Sequence, residues 1–281
     1  MTPLRQRMTE ELRRRNYGDR TIETYVRSVA AFALFFKRSP EVLGPDQVRQ
    51  YQLYLRDERK LSFSTYNTTS CALRFLYLVV LQKADMVGMI PYARREQRLP
   101  SILSQEEVER MRDAVALRPR DRLIIDLLYG CGLRVQELST LRAGDLDVAR
   151  KLVHVRCGKG RKDRLVPLSA SLIDLVTAWR ALMAPRPDDW LFRAVGSDGH
   201  LGARTLQRVV EDAALEAKIP KKVTPHVLRH SYATHMLEAG IDVRVVQSCL
   251  GHARIDTTLR YHHVSRHVVT ATMSPLDLLK H

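Results

Sequence analysis

Apolar residues along the 281-residue chain fall into two regimes, separated by a stretch in which the pattern stops. In the first hundred residues they recur with helical spacing. Residues 2–16 open on Thr2-Pro3, a capping hydroxyl followed by a residue with no N–H to leave unpaired. They end in Arg13, Arg14 and Arg15, and cations suit the negative end of a helix dipole. After a turn at Tyr17-Gly18-Asp19, Arg20–Lys37 predicts a second helix around the apolar centre VAAFALFF. A third spans about Pro45–Asp57 and a fourth Ser62–Gln82, in which Leu73, Phe75, Leu76, Leu78, Val79 and Val80 make a broad apolar face. Four helices with short connections predict a small helical bundle. From Met89 to Leu103 the periodicity is lost, and two prolines with Arg94, Arg95 and Arg98 predict a basic linker.

The second regime starts at Ser104-Gln105-Glu106-Glu107, an S-x-x-E capping box that opens a helix cleanly. Pro119–Tyr129 predicts another helix, with Leu123, Ile124, Leu127 and Leu128 facing inward. Residues 151–169, KLVHVRCGKGRKDRLVPLS, alternate apolar and polar on both sides of Gly-Lys-Gly and predict a β-hairpin. Helices follow over Ser169–Met183 and Ala203–Lys218, separated by a loop, Pro185–Gly202, around Trp190-Leu191-Phe192. Thr224-Pro225 starts a helix that stops near Ala239-Gly240; a shorter one runs from Asp242 to Leu250, and one more begins near Asp256 and carries Tyr261. The expected organisation is a helical domain over residues 1–88, a basic linker over 89–103, and a mostly helical domain with a small sheet over 104–281.

Composition adds a partner class. The net charge of +15 and a pI near 10.0 point to nucleic acid or another polyanion. The charge is shared: residues 1–100 carry 18 lysines and arginines against 10 acids, and the remainder 28 against 21. The cysteines (Cys71, Cys131, Cys157 and Cys249) are scattered and form no C-x-x-C, so neither a zinc knuckle nor a disulfide frame is expected, and a reducing, cytoplasmic setting fits. The first residues, MTPLRQRMTEELRRR, have no apolar core of a signal peptide, and no apolar run is long enough to span a membrane.

The candidate chemistry lies in the second regime. On the helix that starts at Thr224, His226 and Arg229 are three apart and share a face. Arg134 follows Gly130 and Gly132 at a tight turn and opens a helix with Glu137 on the same face. That pair is either an ordinary intrahelical ion pair or a phosphate-binding arginine oriented by a carboxylate. Lys159, with Arg161 and Lys162 beside it, stands at the hairpin tip and suits solvated charge, a backbone-phosphate contact or a general acid. Guanidiniums and imidazoles offer charge-assisted donors to the oxygens of a phosphodiester, and a tyrosine among them suits a covalent nucleophile. Arg204 and Arg208, on one helix, are either groove-reading cations or exposed helix charges.

With these motifs in order, the sequence resembles the tyrosine recombinases, the lambda-integrase and Xer-type site-specific DNA recombinases. The matching pieces are G-L-R-x-x-E at Gly132–Glu137, G-K-G-x-x-x-R-x-V-P-L at Gly158–Leu168, P-H-x-L-R-H-x-x-A-T-H at Pro225–His235, L-G-H at Leu250–His252, and Tyr261 nine residues later. A weaker likeness, Thr21, Tyr25 and Phe32 followed by Ser62 and Thr65, resembles the family's SAM-like core-binding domain, whose implied role is to grip DNA. The resemblance implies that Tyr261 attacks the scissile phosphate and becomes a 3′-phosphotyrosine. Arg134 and Arg229 would clamp the phosphate oxygens, His226 and His252 would hydrogen-bond the phosphate and help position or deprotonate the tyrosine, Lys159 would protonate the 5′-oxygen, and Glu137 would support Arg134. No cofactor or metal is implied. The implied partners are double-stranded recombination sites, three further copies of the chain in a homotetramer on two duplexes, and accessory proteins. Candidate DNA contacts outside the reacting set are Arg13, Arg14, Arg15, Arg94, Arg95, Arg161, Lys162, Arg204 and Arg208. Members carried on mobile elements are the suggested relatives.

One departure concerns the tail. Where the Xer pattern has Tyr-Thr-His-Val, this chain has Tyr261-His262-His263-Val264, which leaves open which imidazole acts as a late base. The end of the chain, with Leu276, Leu278 and Leu279, docks either on a neighbouring copy or on its own domain. Three other readings compete with this one. A histidine metal site built on His226, His230 and His235 lacks an H-E-x-x-H pattern, and His230 and His235 diverge on a helix. A type IB topoisomerase shares the residue chemistry, and a DNA-binding regulator with a silent pocket would not need the complete set.

Overall fold

Hydroxyl side chains at the starts of helices set much of the framework. In the computed structural model, which describes residues 2–94, 101–156, 163–194, 196 and 198–251, Thr2 caps α1 (Pro3–Arg14) by accepting from the Arg5 N–H. The chain divides into two compact units, Met1–Arg98 and Leu99–His281.

In the first unit, α1 is followed by α2 (Asp19–Phe36), α3 (Pro45–Leu53) and α4 (Phe63–Phe75). Both α3 and α4 run on into a wider, π-type turn, over Tyr54–Glu58 and Leu76–Val80. A short helix, α5 (Asp85–Gly88), was not expected from the pattern. Met8, Leu12, Val26, Phe32, Val48, Leu73, Leu76 and Tyr77 form the core. The Tyr77 hydroxyl is buried and donates to the carbonyls of Leu43 and Pro40, so the aromatic body packs without orphaning its polar end. The broad apolar face expected over residues 73–80 needs one correction. Leu78 is 50% exposed, while Tyr77 is fully buried. At about 100° per residue, Leu73, Leu76, Tyr77 and Val80 share one face, and Leu78 points away from it.

The second unit is built around α7 (Pro119–Gly130), whose Leu123, Ile124, Ile125, Leu127 and Leu128 are fully buried. Before it stands α6 (Gln105–Ala114), held by the reciprocal capping box of Ser104 and Glu107. After it come α8 (Val135–Ser139) and a three-stranded antiparallel sheet, β1 (Leu146–Asp147), β2 (Leu152–Val155) and β3 (Arg164–Pro167), in the order β1-β2-β3. The strand β1 adds to the expected hairpin. Val153 pairs with Val166 in the register, and with Val155 they bury one face of the sheet. Then follow α9 (Ala170–Met183), α10 (Ala203–Glu216), α11 (Pro225–Glu238) and α12 (Val243–Leu250). The helices α9, α10 and α11 all pack on α7. Loop residues Leu191 and Phe192 reach this core, where the Trp179 indole N–H donates to the Leu191 carbonyl. No helix among the described residues is long and apolar enough to cross a membrane.

Candidate active site

Two glycines let the site close. Gly132, between α7 and α8, has φ +58, a conformation that costs little only for glycine. A Cβ there would lie 2.6 Å from the Tyr232 ring on α11, so the turn also permits close packing of that helix. Gly251, with φ +61, ends α12 in the left-handed cap typical of helix C-termini.

From this turn Arg134 takes the N-cap position of α8. Its backbone N–H donates to Glu137 Oε2 (2.8 Å), and its guanidinium donates to Glu137 Oε1 (2.7 Å). Glu137 is buried, and two more guanidiniums reach it. Arg164, the first residue of β3, makes a bidentate pair with it at 2.8 and 2.7 Å, and Arg229 Nη1 lies 3.9 Å from Oε2. Burial alone would raise the Glu137 pKa. The Arg164 guanidinium, the Arg134 N–H and the Arg134 guanidinium outweigh it and bring the value down to about 2. The carboxylate is therefore ionised throughout the working pH range. Three guanidiniums against one carboxylate leave this group with a formal excess of two positive charges.

Arg229 is 2% exposed, and its guanidinium donates to the carbonyls of Gly132 and Leu250. One turn before it on α11 stands His226, capped in place by Thr224, whose hydroxyl accepts from the Val227 N–H. The surrounding protein, then Arg229 and Arg134, lower the His226 pKa, so the neutral imidazole is favoured at neutral pH. The His230 ring packs against it edge to face, with centroids 4.3 Å apart. Burial, His226 and Arg229 take His230 down to about 4. A pocket of about 770 Å³ is lined by Arg134, Glu137, His226 and Arg229, with Arg156 and Gln207 on its walls.

The structure thus brings together Arg134, Glu137, His226 and Arg229. Lys159, His252 and Tyr261 lie outside the described residues, as do Arg95, Arg161, Lys162, His262 and the leucines of the tail. Arg204 and Arg208 are exposed on α10 and are not among the pocket-lining residues; Arg204 sits 3.7 Å from Glu211. Gln207 of the same helix lines the pocket instead. Arg13, Arg14 and Arg15 are exposed at the end of α1, where Arg14 and Arg15 pair with Glu11, and Arg94 is exposed as well. His235 donates to or accepts from the Tyr129 hydroxyl at 2.8 Å, away from the His226–His230 pair. Among the described residues no group of three or more His, Cys, Asp or Glu is placed to hold a metal ion.

Sequence reasoning gave no role to Arg156 or to Arg164, although Arg164 is the arginine of the G-K-G-x-x-x-R-x-V-P-L motif. Arg156 follows β2 and pairs with the buried Asp145. Arg164 carried a detectable signal: the period of two along β3 puts it on the same side as the buried Val166, and a buried arginine demands an anionic partner.

Comparison with known proteins identifies the family. Residues 101–267 match the phage integrase family, and residues 4–84 match the phage integrase N-terminal SAM-like domain. A protein of Sinorhizobium fredii, y4qK, whose name places it among integrases and recombinases, is 39% identical over 282 residues, covering 99% of this chain and 90% of the relative. A tyrosine recombinase of Pseudothermotoga lettingae is 32% identical over 259 residues, covering 89% of each. Among solved structures, the XerH site-specific recombinase bound to a palindromic difH substrate, a post-cleavage complex, superposes with a TM-score of 0.75 at 25% identity, covering 94% of this chain and 82% of that one. The chain belongs to the phage integrase family, the tyrosine-type site-specific DNA recombinases.

Proposed function

We propose that the pocket of Arg134, His226 and Arg229 receives the scissile phosphodiester of a double-stranded recombination site, and that Tyr261 cleaves it. The observation that carries this reading is the excess of guanidinium over carboxylate: Arg134, Arg164 and Arg229 surround the single Glu137 beside a pocket of about 770 Å³. A site that holds an excess of positive charge is stabilised by an anion, and most by the extra charge that develops during phosphoryl transfer.

In this mechanism Arg134 and Arg229 bind the non-bridging oxygens, and neutral His226 donates one further hydrogen bond. The Tyr261 hydroxyl passes its proton to a neighbouring imidazole, His226 or His252, and attacks phosphorus; the bond to the 5′-oxygen breaks, and Lys159 supplies the proton to that leaving group. His252 assists at the phosphate. The 3′-phosphotyrosine conserves the phosphodiester bond, so a 5′-hydroxyl from another strand displaces the tyrosine and reseals the DNA without a nucleotide cofactor. Successive exchanges of this kind pass through a Holliday junction. We assign DNA gripping to residues 1–88, joined by a basic linker over 89–103 to the catalytic residues of 104–281. A homotetramer on two duplexes, working in the cytoplasm with accessory proteins, completes the proposal; transposon or other mobile-element DNA is the expected context.

The test is covalent trapping. The full chain and its Tyr261→Phe variant are incubated with a library of nicked duplexes in EDTA and run on a denaturing gel. An adduct that forms with the native chain and is lost in Tyr261→Phe is the expected result, and sequencing the trapped ends identifies the target. An adduct that survives in Tyr261→Phe would overturn the assignment. Lys159→Ala is expected to trap slowly on ordinary DNA and to recover when the 5′-bridging oxygen is sulfur, a leaving group that needs no proton.

A further inference from the structure

The end of α12 has an unusual set of partners. A helix leaves its last carbonyls without intrahelical donors, and here three consecutive ones are each taken by a different arginine. Arg164 Nε donates to the Cys249 carbonyl at 2.6 Å, Arg229 Nη2 donates to the Leu250 carbonyl, and Arg134 Nη2 donates to the Gly251 carbonyl at 3.2 Å. The same three guanidiniums converge on Glu137. Helix α12 therefore ends, with the negative pole of its dipole, on a group of cations of which two, Arg134 and Arg229, line the pocket.

Arg164 differs from the other two. It does not line the phosphate pocket, and its side chain is only 7% exposed. All three of its nitrogens are committed, Nε to Cys249 and both terminal nitrogens to the two oxygens of Glu137. Its aliphatic part runs close past Gly251, where an added Cβ would lie 3.0 Å from Arg164 Cδ. The planar fork spans two objects, the carboxylate that orients Arg134 and the helix end from which the chain leaves toward position 252. A lysine, with one nitrogen, could reach only one of them well.

We infer that Arg164 is a positioning residue for the strand-cleavage site: it ties Glu137 and the C-terminus of α12 into one unit, and so sets where Arg134 and the end of α12 stand relative to the phosphate. This rests on the reading of the pocket as the phosphodiester site. Binding of DNA does not need Arg164, whereas the rate of the chemical step does, because that step is sensitive to misplacement on the scale of about 1 Å, which costs on the order of 100-fold.

The experiment uses the full chain, Arg164→Lys and Arg164→Ala with the nicked-duplex library, and measures both total DNA bound and the rate of covalent adduct formation at saturating protein. Both variants are expected to bind within about threefold of the native chain and to form adduct about 100-fold more slowly. A few millimolar guanidinium ion, far below denaturing levels, is expected to speed Arg164→Ala by about tenfold, by refilling the vacated fork, and to leave Arg164→Lys unchanged. If Arg164→Ala does not fold, Arg164→Lys, which fills the same space and keeps the charge, carries the test. An Arg164→Lys chain that cleaves within about threefold of native would overturn the inference, because charge alone would then suffice. Equal losses of binding and of adduct would also overturn it, by making Arg164 a DNA contact. Absence of adduct from the native chain itself would refute the phosphodiester reading, and the role of Arg164 with it; native adduct in the same gel separates the two failures.

Discussion

Replacing Glu137 by glutamine keeps the shape of the side chain and removes the one negative charge shared by Arg134, Arg164 and Arg229. Its pKa stands at about 2 against an ordinary 4.5, and a difference of that size is worth about 3 kcal/mol of folding stability. Removing one partner of a buried ion pair typically costs about 3–5 kcal/mol, which agrees in scale. The sign follows from the direction of the shift. A carboxyl whose folded pKa lies below its unfolded one contributes fully above the unfolded value and loses that contribution as pH falls through the folded value. The gap between native and Glu137→Gln chains should therefore be about 3 kcal/mol at pH 7, unchanged at pH 5.5, and roughly half as large at pH 3. Urea titration followed by tryptophan fluorescence suits the measurement, because both tryptophans, Trp179 and Trp190, belong to the second unit and report its unfolding alone. Taking the difference between the two chains cancels groups common to both, including His230 with its pKa near 4. A gap below about 1 kcal/mol at pH 7, or one that does not narrow by pH 3, would refute the claim that the arginines hold Glu137 ionised.

Two further perturbations probe the frame of the site. Gly132→Ala combines φ +58 with a Cβ 2.6 Å from the Tyr232 ring, and is expected to lower stability by about 2–4 kcal/mol in the same urea assay; a loss under about 1 kcal/mol would mean the turn is more yielding than its packing implies. Thr234 is fully buried and its hydroxyl has no hydrogen-bond partner among the described residues, so Thr234→Val, nearly the same shape without the hydroxyl, should raise stability by about 1 kcal/mol, and a net loss would show that the hydroxyl is satisfied in solution.

The helices were legible because their signals are local. Thr2, Ser104, Ser169 and Thr224 each sit at a helix start and accept from a backbone N–H two or three residues into the helix, and a cap of that kind needs nothing from the rest of the chain. The shared face of His226 and Arg229 follows from helix geometry, and the capping bond between Arg134 and Glu137 spans three residues. The period of two told the hairpin strands apart from the helices around them, though β1, two residues long, is too short to carry a pattern. Motif spacing then tied these local pieces to a family.

What depended on tertiary packing was the company each residue keeps. An apolar run says that a face is buried and leaves open which residue is turned away, so Leu78 became an exposed side chain in a stretch that reads as core. Exposed arginines read alike in a sequence: Arg204 and Arg208 ended on the outer surface of α10, while Arg156, on a strand end, reached the pocket wall. Glu137 reads as the partner of Arg134, three residues away, yet its bidentate partner is Arg164, 27 residues on, and Arg229 approaches from a third segment. The convergence of three arginines on one carboxylate and one helix end is a property of how α8, β3, α11 and α12 pack. No single segment contains it, because the electrostatic stability of the group exists only when all the segments arrive together.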